Sequence, residues 1–117
     1  MTFMRSTLLA LAAASTLGLA SARAEGTQPL DTSRLVSIGG AVTEIVYALG
    51  KGDTLAARDS TSTFPPAALK LPDVGYMRAL SPEGVLSVNP SAILMIDGSG
   101  PKEAVEVLSK ASVQIVR

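Results

Sequence analysis

The spacing of apolar residues changes along the chain, and each change marks an element. Residues 34–38, RLVSI, are a short β-branched-rich run closed by Gly39 and Gly40, which reads as a strand entering a tight turn. In the AVTEIVYALG that follows, Val42, Ile45, Val46 and Leu49 fall at i, i+3, i+4 and i+7. That is one apolar helical stripe, and Gly50 is its stop. A second short strand is expected over 53–58, DTLAAR, although it is rich in Ala. From 59 to 73 the chain is crowded with Ser, Thr and Pro, so it reads as loop with one helical turn over 66–69.

Regular spacing then returns. Ser81 followed by Pro82 is a helix N-cap with proline at the first helical position, and the EGVLSV beyond it continues for about two turns. The apolar run SAILMI, 91–96, lies between Asn89-Pro90 and Asp97-Gly98 and reads as a strand buried on both faces. Pro101 opens a further helix in which Pro101, Ala104, Val105 and Leu108 share a face, and VQIVR, 113–117, is a last strand. Strands alternating with helices at this spacing predict an α/β fold: βαβ units on a parallel sheet with helices on both faces. No helix follows the strand over 113–117, so the chain reads as one lobe cut short.

The first 24 residues stand apart from this alternation. Arg5 precedes an apolar core over 8–20, and ARA ends at Ala24. This is the pattern of a secretory signal peptide, with too few apolar residues to cross a bilayer. The mature unit is then 25–117.

Composition narrows the chemistry. Ten basic and ten acidic side chains cancel, and aromatic residues make up 3% of the 117. Neither a basic footprint nor a stacking platform for nucleic acid is present, and none is expected as a partner. The chain has no Cys and no His, which removes disulfides, thiolate zinc sites and the commonest general base. Any chemistry must come from carboxylates, hydroxyls, Lys, Arg or Tyr. Most enzyme classes are disfavoured, and a secreted α/β enzyme would need a nucleophile elbow, a phosphate loop or a His that this stretch lacks.

Gly39-Gly40 could cradle an anion at a helix N-terminus, but the full G-x-G-x-x-G spacing and a phosphate-binding lysine are missing. A close-packed turn is the simpler reading. Glu44 and Glu83 each lie in the first turn of a predicted helix, where the macrodipole alone favours a carboxylate. Asp59 and Asp73 read as ordinary loop residues, and Tyr47, in mid-helix, as a packing residue. Tyr76 has a less ordinary setting, following Gly75 and standing two residues before Arg78 in VGYMR. In an extended segment, positions i and i+2 share a side, so the guanidinium can reach the phenol and favour phenolate, a competent axial ligand for ferric haem. A half-buried tyrosine bonded to backbone, with Arg78 in solvent, explains the same residues. On the residues alone both readings stand.

Three stretches carry a resemblance: RLVSIGGAVTEIVYALG, DSTSTFPPAALKLPDVGYMRALSPEGVLSVNPSAIL and GPKEAVEVLSKASVQIV. Together they resemble the N-terminal part of the periplasmic haem-binding proteins of bacterial haem-uptake ABC transporters, within the larger group that binds cobalamin and iron-siderophores. LPDVGYMRALSPEGVL is the most specific part. The resemblance implies a Rossmann-like lobe, the incomplete N-terminal lobe (25–117) of a two-lobe periplasmic binding protein that is not an enzyme. It implies haem (hemin) as the transported ligand, with Tyr76 as the ligand to the iron and Arg78 supporting its phenolate. Glu83 would dock the lobe on the transporter's inner-membrane permease. The Gly39-Gly40 turn and the 61–65 loop would line the cleft. Cobalamin or a ferric siderophore is the alternative ligand, and a truncated product without function of its own is a further alternative.

Overall fold

The computed structural model describes residues 28–117. The expected signal peptide, 1–24, lies outside them.

Four strands form one parallel sheet: β1 (Leu35–Ile38), β2 (Leu55–Arg58), β3 (Ala92–Met95) and β4 (Gln114–Val116). Their order is β2-β1-β3-β4. The chain therefore moves one way from β1 to β2 and the other way from β1 to β3, which puts a topological switch point between β1 and β3. Three helices link the strands: α1 (Gly40–Ala48), α2 (Pro82–Leu86) and α3 (Lys102–Lys110). Single 3-10 segments occupy Gly52–Thr54 and Pro66–Lys70. Each expected strand is present with its ends trimmed by a residue or two, and the first two residues of the DTLAAR stretch, Asp53 and Thr54, are 3-10 turn instead of strand.

Side-chain alternation assigns the two faces. Val36, Ile38, Ile93 and Met95 point to one face and pack with Val85 of α2 and Ala104, Val105 and Leu108 of α3. Leu35 and Ala92 point to the other, where Val46 and Tyr47 of α1 meet them. The sheet is covered from both sides, as its apolar strands require. In β2, Leu55 pairs with Leu35 but Ala57 pairs with Val36, so Ala56 is skipped as a bulge. That one extra residue lets Leu55 face α1 while Ala57 faces the α2–α3 core.

Two helices differ from the sequence pattern. In α1, Thr43 and Val46 are buried, whereas Ile45 is 59% and Leu49 71% exposed. The apolar stripe is not the buried face. The helix is turned toward Thr43 because its hydroxyl bonds Ser37 and Ser62 at 2.6 Å each, a polar anchor that an apolar count ignores. In α3, Ala104, Val105 and Leu108 are buried as expected, but Pro101 is the residue before the helix and is exposed.

Helix α2 is short, and its start is well defined. Ser81 Oγ accepts from the Gly84 N–H at 3.3 Å and Pro82 occupies the first turn. Removing that acceptor in Ser81→Ala should lower stability by about 1 kcal/mol, read as a shifted urea midpoint with unchanged slope.

Candidate functional site

At the carboxyl edge of a parallel sheet, loops converge and free backbone groups face outward, and ligands of open α/β folds bind there. Here that edge gathers the Gly39-Gly40 turn after β1, the 59–65 loop after β2, the Tyr76 segment, and the loop from Ile96 to Gly100 after β3. Hydrogen bonds fix all four relative to one another.

Gly39 is in a positive-φ conformation, φ 107° and ψ 129°. A Cβ there would lie 2.5 Å from Ile96 Cγ2, so strand-end backbone and Ile96 are in close approach. Its N–H donates to Asp59 Oδ1 at 3.0 Å, and the Gly40 N–H donates to Thr61 Oγ1 at 3.0 Å. Both donors are thus spoken for within the fold. The turn is the close-packed one, and its N–H groups are not an empty anion cradle.

Asp59 departs furthest from the sequence reading. It is fully buried and its carboxylate accepts four bonds: from Gly39 N–H, from the Thr61 N–H at 3.2 Å and hydroxyl at 2.8 Å, and from the Ser62 hydroxyl at 2.7 Å. The signal was present in D-S-T-S, where an Asp is followed closely by hydroxyls that can cap its oxygens. Asp73 is structural as well. Its Oδ2 lies 3.3 Å from Arg58 Nη1, and its Oδ1 accepts from the Gly75 N–H at 2.8 Å. Arg58, nearly buried, also donates to the carbonyls of Ala68 and Asp59, which ties the 59–73 connection to the end of β2.

The Tyr76 segment is held from two sides. On the β2 side, the Ser60 N–H donates to the Gly75 carbonyl at 2.9 Å. On the β3 side, the Gly100 N–H donates to the Met77 carbonyl and the Leu80 N–H to the Gly100 carbonyl, each at 2.9 Å. Between these ties the Ala79 N–H donates to the Tyr76 carbonyl at 2.8 Å and closes a turn. The segment is therefore not extended, and the i, i+2 argument for bringing Arg78 to the phenol does not describe it. Met77 turns into the α2–α3 core and Leu80 is buried in it, while Tyr76 is 46% exposed and Arg78 exposed. Neither the phenol nor the guanidinium has a hydrogen bond or ion pair among the described residues. Of the alternative reading, Arg78 in solvent is found, whereas a backbone bond to the phenol is not found among the described residues.

Glu83 lies in the first turn of α2, exposed, and makes no ion pair among the described residues. Phe64, on the 59–65 loop, is exposed too. Tyr47 is half-buried and packs as expected. Far from this edge, hydrogen bonds from Ser33, side chain first and then backbone, hold the exposed Asp31 carboxyl below its ordinary value.

The profile of the family described as "Periplasmic binding protein" matches residues 35–117. Periplasmic haem-binding protein RhuT from Roseiflexus sp. RS-1, in apo form, superposes with a TM-score of 0.69 at 40% identity, over 73% of this chain and 33% of that one. Periplasmic haem-binding protein HutB of Vibrio cholerae gives 0.65 at 41% identity, over 73% and 33%. The vitamin B12-binding protein of Photorhabdus laumondii is 33% identical over 82 residues, 70% of this chain and 30% of that protein. The chain thus spans about a third of the length of the proteins it matches. With the matched region covering every strand and helix described above, the chain belongs to the periplasmic binding protein family.

Proposed function

We propose that this chain contributes one wall of a periplasmic haem-capture site that supplies an ABC importer, with Tyr76 as the iron ligand. The observation that carries the reading is the half-exposed Tyr76 phenol, without an internal partner among the described residues, on a turn tied to both sides of the switch point. A tyrosine buried for packing would have its hydroxyl satisfied. This one presents an oxygen to whatever occupies the cleft, and a phenolate oxygen suits ferric iron. Arg78, two residues on in the same turn, is exposed and without an ion pair among the described residues, and is assigned to the site beside Tyr76. Exposed Phe64 offers apolar surface to a porphyrin at the same edge. The haem-binding relatives at about 40% identity support this choice of ligand.

Capture needs no bond-making by the protein beyond ligation, so no catalytic residue is assigned. Glu83 is the docking group: an exposed carboxylate on α2, without an ion pair among the described residues, that complements a basic residue of a permease in the inner membrane. Glu83→Arg should leave haem binding unchanged and abolish the stimulation of importer ATPase activity by the loaded protein, measured with the importer in proteoliposomes.

A second reading, cobalamin, is favoured by the B12-binding relative. Equilibrium dialysis of the chain against ferric haem and against cyanocobalamin separates the two. Retention of haem at one equivalent with no retention of cobalamin is expected. The reverse would transfer the proposal to the corrinoid.

A further inference from the structure

The buried polar cluster behind the Tyr76 turn has a defined direction. Ser62 uses its single hydroxyl proton on Asp59 Oδ1, so the 2.6 Å contact between Thr43 and Ser62 must be donated by Thr43. By the same count, Ser37 must donate in its 2.6 Å contact with Thr43. Three hydroxyls from β1, α1 and the 59–65 loop thus line up as donors toward one carboxylate, which also accepts two backbone N–H bonds. None of these side chains is left unsatisfied. Packing alone would be served by apolar residues; a fully satisfied network of this kind fixes a unique geometry.

What that geometry fixes follows from the next residue. Asp59 sits between its own N–H, bonded to the Ser37 carbonyl at 3.1 Å, and Ser60, whose N–H holds the Gly75 carbonyl. That carbonyl belongs to the peptide unit that contains the Tyr76 nitrogen. Resting on the reading given above, we infer that Asp59 is the positioning residue of the site: its carboxylate locks the Gly39 turn to the strand end that holds Tyr76. Tyr76 touches the ligand; Asp59 acts only through the backbone.

Asp59→Asn tests this at constant volume. Oδ1 of the carboxylate accepts from the Gly39 N–H and Oδ2 from the Thr61 N–H, so either orientation of the amide sets its NH2 against a backbone donor that cannot rotate away. Amide hydrogen exchange on the full chain reads the result. Ser60 and Ala79, whose bonds frame the Tyr76 turn, should exchange about tenfold faster than in the parent, beyond any rise at the core amides of Val36 and Ile93. A rise at Ser60 and Ala79 no larger than at those core amides would overturn the proposal, leaving Asp59 a stabilising group only. Should Asp59→Asn fail to fold, Thr61→Val removes one donor to Asp59 and the acceptor of Gly40 at an exposed position, and the same comparison decides. Titration of ferric haem into the parent chain tests the haem reading separately. A parent that binds no haem sinks that reading, while the exchange pattern still decides whether Asp59 positions Tyr76.

Discussion

Gly39→Ala is expected to destabilise the chain by about 3–5 kcal/mol, the sum of a backbone held outside the ordinary L-residue regions and an overpacked contact. The first contribution comes from φ 107°. The second comes from Ile96, whose Cγ2 and Cβ lie 2.5 and 2.8 Å from the position a new Cβ would take. Ile96 continues β3 and cannot retreat far, because its N–H is bonded to the Ile38 carbonyl at 2.9 Å. Gly50 supplies the control. It too has positive φ, 72°, but nothing lies within 4 Å of its would-be Cβ, so Gly50→Ala should cost only the conformational part, about 1 kcal/mol. Urea midpoints of the two variants, at equal slope, separate strain from overlap. Equal losses would mean that the Gly39–Ile96 contact is not tight, and that the turn is not close-packed against the end of β3.

The second large effect concerns the ligand. Tyr76→Phe removes one oxygen and keeps the ring, so the turn, the Met77 contact with the core and the ties to Ser60 and Gly100 should all remain. Stability should hardly change, since no hydrogen bond to the phenol is lost among the described residues. Ferric haem binding should fall by at least about 100-fold, or roughly 2.7 kcal/mol, because losing even a supporting residue of a metal site costs 10–100-fold and here the ligand itself is lost. Arg78→Ala should act in the same direction more weakly, since it removes a neighbouring site residue but leaves the oxygen that would bind iron. A Tyr76→Phe chain that bound haem as the parent does would remove iron ligation from the account.

Why some of this was legible in the sequence and some was not has physical reasons. Strand positions were readable because each strand is a short apolar run with turn residues at both ends, and burial on both faces leaves little room for another pattern. The cap of α2 was readable because Ser-Pro is a local signal, answered by a local bond from Gly84. The rotation of α1 was not, because it is set by Thr43, whose partners Ser37 and Ser62 come from two other segments. Asp59 was missed for a related reason. A buried carboxylate among loop hydroxyls looks like any polar loop until Gly39 is brought back against it from twenty residues away. Tyr76 was singled out by its neighbours, and its exposure fits the role suggested for it. The extended geometry used to link it to Arg78 was the wrong local shape, since the Ala79-to-Tyr76 bond closes a turn that no Gly or Pro at its centre announces.

Visible-absorption titration of ferric haem into the parent chain and into Tyr76→Phe decides whether the Tyr76 oxygen ligates the iron. Saturable one-to-one binding by the parent is expected, with a phenolate-to-iron charge-transfer band that is lost in the variant. Non-saturating spectra, the same for both proteins, would contradict it.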